Sequence, residues 1–331
     1  MRRVLTGLLA NGHVQTLGAA APFYCPPRGF RPSEHEPLRL PIAHGSLRGH
    51  PHADLWLAKG RRPAVVIVHG IGGDLASRYV VRSAVALHRD GFHVARMSMR
   101  GAGASVAEAP ALYHAGLTDD VQRVVDVLRS DDRISSVVLL GFSGGGNLVV
   151  KLLGELAERG RSLVAAAATI SAPFDYTTIG PHMDAPARLP YRFHVLRGLV
   201  RQARAFARLH PDRATFDAAG LSRLGSFREY DAKVVLPVYG FASVDAYWAA
   251  ASARPSLSRV AVPTRVIHAH DDPMVPGALV RASLRDASLA LELEMSREGG
   301  HIGWFAGLDE ASFVTPWAVR RATEHLARHA R

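Results

Sequence analysis

Short runs of apolar residues alternate along the chain with longer stretches whose apolar residues recur at helical spacing. Short runs bounded by turn residues are typical of buried strands, and the longer stretches are typical of amphipathic helices. The predicted strands are Ala64–Val68, His93–Met97, Ser136–Leu140, Leu163–Ile170, Arg265–Ala269 and Leu291–Met295. The predicted helices are Ala76–Arg89, one that Thr118 or Asp119 caps, Asn147–Glu158 and Ala311–Ala330. This order predicts an α/β fold with a mostly parallel central sheet and helices on both faces.

Two segments depart from this alternation of apolar strands and amphipathic helices. Asp54–Leu57 alternates polar and apolar residues, which predicts an antiparallel strand at the edge of the sheet. Between Pro173 and about Pro263 no strand pattern occurs, and basic residues recur at helical spacing among Leu, Val and Phe. We therefore interpret residues 1–331 as a single domain with a mostly helical insertion at about 174–262. The insertion either covers the carboxyl ends of the strands as a lid or only packs against them, and the sequence leaves both open.

The sequence Gly141-Phe-Ser-Gly-Gly145 directly follows a predicted strand and precedes a predicted helix. It fits the pattern G-x-S-x-G, which in that setting indicates a nucleophile elbow, a tight turn that exposes a serine hydroxyl at the end of a strand. The turn leaves no room for side chains at the flanking positions, so glycine is needed there. Ser143 is therefore the candidate nucleophile, although glycine turns that contain a serine are also common outside enzymes.

A serine hydroxyl is a poor nucleophile unless a base accepts its proton, and that base needs an acid to orient it. In this sheet architecture the expected chain order is Ser, then Asp or Glu, then His, each on a loop after a strand. His301 comes two glycines into the loop that follows the strand at Leu291–Met295 and is the candidate base. The candidate acid is Asp272, directly before Pro273, and Asp271 is the alternative.

Acyl transfer also needs hydrogen-bond donors aimed at the oxyanion that develops on the substrate. One donor is expected to be the backbone N–H of Gly144, directly after the candidate nucleophile. The other is expected in the turn His69-Gly-Ile-Gly-Gly73, because it follows an earlier strand and its glycines leave backbone N–H groups unobstructed. We assign the second donor to Ile71, and the alternative is that these glycines form a plain tight turn.

Two further patterns point to other chemistry. His268-Ala-His-Asp-Asp272 resembles part of a metal-binding run, since side chains two apart on a strand point the same way. Pro273 stands where a further histidine would be needed, and no second cluster completes a metal site. Gly101-Ala-Gly-Ala-Ser105 resembles a dinucleotide loop but lacks the third glycine. We therefore predict no metal and no cofactor.

The formal net charge of +11 raises the question of a nucleic acid or an anionic membrane surface as partner. The basic residues are spread along the chain in runs no longer than a pair, so no nucleic-acid partner is predicted. Cys25 is the only cysteine, which excludes an intramolecular disulfide and allows a reducing, cytoplasmic location. The short apolar run near the start is interrupted at Asn11, so we expect neither an export signal nor a membrane span.

Several short motifs match one known family. They are Asn11-Gly-His-Val-Gln-Thr16, His69-Gly-Ile-Gly-Gly73, Met99-Arg-Gly-Ala-Gly103, Gly141-Phe-Ser-Gly-Gly-Gly-Asn147, Phe227-Arg-Glu-Tyr-Asp231, Tyr239-Gly-Phe-Ala-Ser243, Asp271-Asp-Pro273 and Gly299-Gly-His-Ile-Gly303. With them the chain resembles, from about residue 10 to its end, the YheT-type α/β-hydrolases, which are related to the ABHD1/ABHD3 group. The opening Asn-x-His-x-Gln-Thr box is more specific than the elbow. The resemblance implies the α/β-hydrolase fold, with the insertion as a helical lid.

The resemblance also implies a serine carboxylester hydrolase in which Ser143, Asp272 and His301 match the triad positions of the family. Eukaryotic relatives act on phospholipids or transfer medium-chain acyl groups to alcohols, so it implies a lipid-like acyl ester as substrate and a protein that is cytosolic or in peripheral contact with membrane lipid. Ala102 stands where relatives often carry cysteine, and Gly144 stands where a bulkier residue is frequent. These differences affect the shape of the acyl pocket rather than the chemistry.

Other functions of the same fold remain open at this point. A thioesterase, an amidase or an acyltransferase uses the same three residues, because fold and triad fix neither the leaving group nor the acceptor. A non-catalytic binding protein has no need to keep all three, so the sequence favours an enzyme. The Asn11–Thr16 box suggests no catalytic role, and we predict that His13 and Gln15 hydrogen-bond the N-terminal segment onto the domain.

Overall fold

An eight-stranded sheet forms the centre of the computed structural model, which describes residues 11–20, 34–49, 52–304 and 316–330. The strands in chain order are β1 (Glu34–Arg39), β2 (Ile42–His44), β3 (Leu47–Gly49), β4 (His52–Leu57), β5 (Arg62–Val68), β6 (His93–Met97), β7 (Ile134–Phe142), β8 (Ala166–Ile170), β9 (Thr264–Ala269) and β10 (Leu291–Ser296). In the large sheet they lie in the order β1-β4-β6-β5-β7-β8-β9-β10, and β2 pairs with β3 separately. All six strands predicted from apolar runs are therefore confirmed: β6 has the predicted ends, and the other five differ at one or both ends.

The sheet is parallel from β6 to β10 and antiparallel at one side, where β4 pairs with β6 and β1 pairs with β4. The predicted antiparallel strand at Asp54–Leu57 is confirmed as part of β4. Its predicted place at the edge is wrong, because β1 pairs along its outer side. β1 was not predicted because its sequence, EHEPLR, is mostly charged and contains a proline, which is tolerated only at a sheet edge.

Apolar side chains cover both faces of the parallel strands. Along β5, Val66 and Val68 belong to the hydrophobic core on one face, whereas Val65 and Ile67 belong to the core on the other face. Successive side chains of a strand point to opposite faces, so a strand buried on both sides must be apolar at every position. This requirement explains why the parallel strands appear in the sequence as continuous apolar runs.

Twelve α-helices are found among the described residues. They are α1 (Gly12–Ala20), α2 (Arg78–Arg89), α3 (Asp119–Arg129), α4 (Gly144–Leu156), α5 (Gly160–Leu163), α6 (Tyr176–Asp184), α7 (Leu189–Leu209), α8 (Phe227–Tyr230), α9 (Leu236–Tyr239), α10 (Val244–Ala251), α11 (Gly277–Ser283) and α12 (Trp317–His329). The predicted helices correspond to α2, α3, α4 and α12. Residues 311–315 of the predicted C-terminal helix lie outside the described residues.

Two of the shifted boundaries have local reasons, and one predicted cap forms another contact. The helix predicted from Asn147 begins at Gly144, because the turn at Ser143 starts it despite the low helix propensity of glycine. The strand predicted from Leu163 begins at Ala166, since the preceding residues form the short helix α5. Thr118 is the N-cap residue of α3 but its side chain does not cap the helix. Its hydroxyl donates to the Glu155 carboxylate of α4 instead, at 2.6 Å.

The chain between β8 and β9 contains helices and turns and no strand, as predicted. The longest of these helices, α7, lies directly on the turn after β5. A Cβ atom built on Gly198 of α7 would be 2.4 Å from the Gly72 carbonyl oxygen, and the Gln202 amide donates to the Gly73 carbonyl at 2.8 Å. This close approach places the insertion over the carboxyl end of β5.

The membrane-spanning criteria of length and apolarity are met by no single helix of the described chain. Only one bent pair of helical segments, Phe227–Tyr239 and Val244–Arg259 at 78° to each other, meets them when the two are taken together.

The Met99–Gly103 motif anchors the loop after β6 through a buried ion pair. The Arg100 guanidinium donates to the Asp120 carboxylate of α3 at 2.6 and 2.9 Å, and the Arg100 backbone N–H donates to the same carboxylate at 2.8 Å. Arg100 also donates to the Ala43 carbonyl at 3.1 Å. Burial by itself lowers the pKa of Arg100, but Asp120 raises it to above its ordinary value. The pair ties three separate segments of the chain together.

We expect Asp120→Ala to lower the free energy of unfolding by about 3–5 kcal/mol, because it leaves the Arg100 charge buried without its partner. The matched control is Asp119→Ala, which removes the exposed neighbouring carboxylate of the same helix and is expected to cost less than about 1 kcal/mol. Urea unfolding followed by circular dichroism measures both. Equal losses in the two variants would contradict the structural importance of the pair.

Candidate active site

Ser143 lies in the turn between β7 and α4 with φ 49° and ψ −124°. A positive φ costs a residue with a side chain on the order of 1–3 kcal/mol. The turn is held by hydrogen bonds from the Ser143 N–H to the Ile170 carbonyl and from the Gly146 N–H to the Ser143 carbonyl, both at 2.8 Å. A Cβ atom on Gly145 would lie 2.4 Å from the Val68 carbonyl oxygen, so glycine is required there. The predicted elbow geometry is therefore present.

The structure brings Ser143, Asp272 and His301 together at the carboxyl ends of β7, β9 and β10. The His301 Nδ1–H donates to Asp272 Oδ2 at 2.8 Å, which leaves Nε2 to accept from the Ser143 hydroxyl at 2.9 Å. The tautomer is assigned from this hydrogen-bond network. The contacts form one continuous chain from carboxylate to imidazole to hydroxyl.

The Asp272 carboxylate is completely buried, and every hydrogen bond it accepts favours its charged form. Oδ1 accepts from the backbone N–H groups of Met274 and Val275 at 2.8 and 2.9 Å, and Oδ2 accepts from His301. Burial by itself raises the pKa of Asp272, but His301, His268 and the Val275 N–H together hold it below its ordinary value. Asp272 is therefore an anion that fixes the orientation of the His301 imidazole.

Asp271, the alternative acid, contacts the backbone of the loop that carries His301. Its Oδ1 accepts from the Gly300 backbone N–H at 2.9 Å, and it makes no hydrogen bond to the His301 imidazole among the described residues. Burial raises its pKa. Asp271 therefore holds the backbone of the histidine loop, while Asp272 contacts the imidazole.

The Asn11–Thr16 box packs against the histidine loop. The Thr16 hydroxyl accepts from the His301 backbone N–H at 2.8 Å and donates to the Gly12 carbonyl at 2.6 Å. A Cβ atom on Gly300 would meet the Gly12 carbonyl oxygen at 2.4 Å, so the contact between the two segments is close. His13 is hydrogen-bonded to the Tyr191 hydroxyl of α7, which confirms the predicted role of His13 in holding this segment to the domain.

The backbone N–H groups of Ile71 and Gly144, both beside Ser143, have no hydrogen-bond partner in the described part of the chain, and the same holds for Gly145, the next residue of α4. In the turn after β5 the N–H groups around Ile71 are used, since Gly70 donates to the Tyr79 hydroxyl, Gly72 donates to the Tyr113 hydroxyl at 2.7 Å and Gly73 donates to the Gly70 carbonyl. Gly144 also begins the 13-residue helix α4, whose N-terminus carries partial positive charge. The two N–H groups assigned from the sequence are thus without a partner, and their role as oxyanion donors stays a prediction.

Sequence reasoning missed the side chains that shape this turn. Tyr79 and Tyr113 accept hydrogen bonds from it, as described above. His69 is fully buried, which lowers its pKa. Its imidazole connects two loops, since Nδ1–H donates to the Gly70 carbonyl at 2.8 Å and Nε2 accepts from the Met99 N–H at 3.2 Å. His69 stands directly before the glycine turn, which is a local signal, but the tyrosines approach from distant segments and leave no such signal.

A cavity opens beside Ser143, His301 and the turn at Ile71. Most of its wall is apolar and comes from the helical insertion, with Ile179, Met183, Val195, Leu199 and Val235 among the lining residues. The cavity can therefore hold an apolar group against the hydroxyl of Ser143.

The residues of the two patterns that suggested other chemistry make structural contacts instead. Because β9 ends at Ala269, His268 and His270 do not share a strand face. His268 Nε2 contacts the buried Val275 carbonyl at 2.7 Å, and the exposed His270 contacts Arg281. Within the described ranges no group of three His, Cys, Asp or Glu side chains is arranged to hold a metal ion. In the Gly101–Ser105 segment, the Ser105 hydroxyl accepts from the His52 backbone N–H at 2.7 Å.

Comparison with known proteins agrees with this fold. A family model for the alpha/beta hydrolase fold matches residues 63–305. Escherichia coli YheT, which is named as an esterase, is 29% identical over 249 residues, covering 74% of this chain and 72% of YheT. A monoacylglycerol lipase from Saccharomyces cerevisiae is 27% identical over 82% of this chain, and human phospholipase ABHD3 is 22% identical over 76%. The chain spans 62% and 61% of the length of those two relatives.

Solved structures show the same fold at low sequence identity. The α/β hydrolase GrgF from Penicillium superposes with a TM-score of 0.60 at 17% identity, covering 89% of this chain and 99% of GrgF. The Pyrococcus furiosus esterase PF2001 gives a TM-score of 0.58 at 15% identity, covering 93% of this chain and 98% of the esterase. The chain therefore belongs to the alpha/beta hydrolase fold family, and its resemblance to the YheT-type members of that family is confirmed.

Proposed function

We propose that this protein is a serine carboxylester hydrolase. The observation that carries the proposal is the unbroken hydrogen-bond chain from Asp272 through His301 to the Ser143 hydroxyl, at 2.8 and 2.9 Å. The esterase and lipase names of its relatives support ester bonds as the substrate class. No cofactor is needed for this chemistry.

In the proposed mechanism Ser143 attacks the carbonyl carbon of a bound ester while His301 Nε2 takes its proton. Asp272 stabilises the imidazolium that forms, and the N–H groups of Ile71 and Gly144 stabilise the oxyanion. His301 then gives the proton to the leaving alcohol, and an acyl group remains on Ser143. Water, activated by His301, attacks this acyl-enzyme and releases the acid.

The apolar cavity supports an acyl chain or another apolar group as part of the substrate. A thioesterase, an amidase or an acyltransferase uses the same first step, so the leaving group and the acceptor decide among them. A panel of acyl chain lengths, of esters against thioesters and amides, and of water against alcohol acceptors separates these activities. The cytoplasmic location, the absence of a nucleic-acid partner and a peripheral lipid contact stay predictions.

Ser143→Ala is expected to lower kcat for a p-nitrophenyl acyl ester at least about 10³-fold, because no other group can form the acyl-enzyme. The variant also loses labelling by a fluorophosphonate probe. Thermal unfolding serves as the control, and Ser143→Ala is expected to fold, since alanine removes only the hydroxyl. Wild-type turnover by the folded variant would contradict the proposed mechanism.

Asp272→Asn and Asp271→Asn form a matched pair that separates the two carboxylates. We expect Asp272→Asn to lower kcat by about 10³–10⁴-fold, because the amide no longer holds the imidazole in the required tautomer. Asp271→Asn keeps an oxygen that accepts from the Gly300 N–H, so the expected loss is below about tenfold. Steady-state kinetics of the two purified variants gives the comparison, and a larger loss in Asp271→Asn would reassign the acid.

Thr16→Val is expected to lower kcat/KM by about tenfold to a hundredfold, because the His301 backbone N–H loses its acceptor and the imidazole is less well placed. The control variant Thr16→Ser keeps the hydroxyl and is expected to retain the kcat/KM of the wild type. The rate of fluorophosphonate labelling should fall in parallel with kcat/KM in Thr16→Val. If Thr16→Val lowers only the unfolding temperature and leaves the labelling rate unchanged, Thr16 does not position His301.

A further inference from the structure

Among the polar groups that line the apolar cavity beside Ser143 and that the proposed mechanism does not use are the hydroxyl of Tyr176 at the start of α6 and the carboxyl of Asp231 between α8 and α9. Both residues are 8% exposed. Two other tyrosines of the cavity wall use their hydroxyls to accept backbone hydrogen bonds, Tyr113 from Gly72 and Tyr247 from Ala115.

The Tyr176 hydroxyl is buried and has no hydrogen-bond partner among the described residues. It lies beside the elbow, since a Cβ atom on Gly144 would be 3.2 Å from the hydroxyl oxygen. Burial raises the pKa of Tyr176, and Tyr113 and Asp231 raise it further, so the hydroxyl stays protonated. A buried hydroxyl without a partner is unfavourable, and a hydrogen bond from a bound polar group would remove this cost.

Only one oxygen of the Asp231 carboxyl accepts a hydrogen bond within the described part of the chain. Oδ2 accepts from the Trp248 indole N–H at 2.7 Å, and Oδ1 has no hydrogen-bond partner in the described part of the chain. Burial raises the pKa of Asp231 to about 7, against the opposing effects of Trp248 and Arg228. Asp231 begins the π-helical segment Asp231–Val235, a backbone form that is rare and that occurs frequently at functional sites.

A purely apolar substrate would cover these two groups and leave both without partners, which is unfavourable. A hydroxyl group on the substrate can donate to the carboxylate and accept from the tyrosine, and it pairs with the carboxyl in either protonation state. An ammonium group has no acceptor and requires an ionised carboxylate, which burial in this cavity disfavours. A neutral hydroxyl therefore fits the pair best.

We propose that Tyr176 and Asp231 form a subsite that binds a hydroxyl group of the substrate, so that the preferred substrates are esters carrying a free hydroxyl on their acyl or alcohol part. This inference rests on the proposed esterase function and adds the substrate class to it.

The test compares kcat/KM within pairs of esters that differ by hydroxyl groups. On the acyl side the pair is ethyl 6-hydroxyhexanoate and ethyl hexanoate, and on the alcohol side it is glycerol monobutyrate and propyl butyrate. Ethyl 6-aminohexanoate tests a cationic group. We expect the hydroxylated member of at least one pair to be preferred by about tenfold or more, because a plain ester leaves the two polar groups unpaired.

Tyr176→Phe removes one oxygen, and we expect it to bring the preferred ratio close to one. Tyr247→Phe is the matched control, because the Tyr247 hydroxyl already accepts from the Ala115 N–H at 2.9 Å, and we expect it to keep the ratio. Thermal unfolding checks that both variants fold. The proposal is overturned if no hydroxylated ester is preferred, if the amine is preferred over the hydroxyl, or if Tyr176→Phe slows both members of a pair equally.

A binding measurement keeps this inference separate from the proposed reaction. Titration calorimetry of Ser143→Ala with the same intact esters measures their affinities without turnover. Tighter binding of a hydroxylated ester that disappears in Ser143→Ala/Tyr176→Phe supports the subsite even if wild type hydrolyses nothing, which would refute only the esterase function. Equal affinities within every pair would refute the subsite, even if wild type hydrolyses the plain esters.

Discussion

The hydrogen bonds of His301 to Asp272 on one side and to Ser143 on the other are the interactions on which the rest of the site depends. Each partner stands on a different strand end, so the contact exists only if the parallel sheet has the right order and register. The strain of a positive φ at Ser143 is tolerated because the packed sheet and helix α4 determine the turn. The apolar strands are buried on both faces, and their order and register therefore determine the positions of the polar residues at their carboxyl ends.

Much of the fold and part of the site could be predicted because their causes are local. A strand buried on both faces must be apolar throughout, and a turn with no space for side chains must contain glycine, so β5, β7 and the elbow leave direct signals in the sequence. Asp272 and His301 follow from chain order and from their position after strands. The choice between Asp272 and Asp271 depends on the path of the loop, and the backbone N–H groups of Met274 and Val275 that define it cannot be counted from sequence.

The remainder depends on contacts between segments far apart in the chain. β1 carries charged residues and a proline, and only its pairing with β4 makes it a strand. Thr16 contacts the backbone of His301, which lies 285 residues further along the chain, so no local pattern in the sequence indicates this hydrogen bond. Tyr176 and Asp231 line the same cavity because the helices of the insertion pack around it, and neither a strand period nor a turn motif marks these two residues in the sequence.

In the proposed reaction the acyl group of the ester is carried by Ser143. Mixing wild-type protein with a p-nitrophenyl ester, quenching with acid during turnover and locating the acyl group by peptide mass spectrometry tests this most directly. We expect the peptide that contains Ser143 to gain the mass of one acyl group. Continued turnover with no acylated peptide, or with the acyl group on another residue, would contradict it.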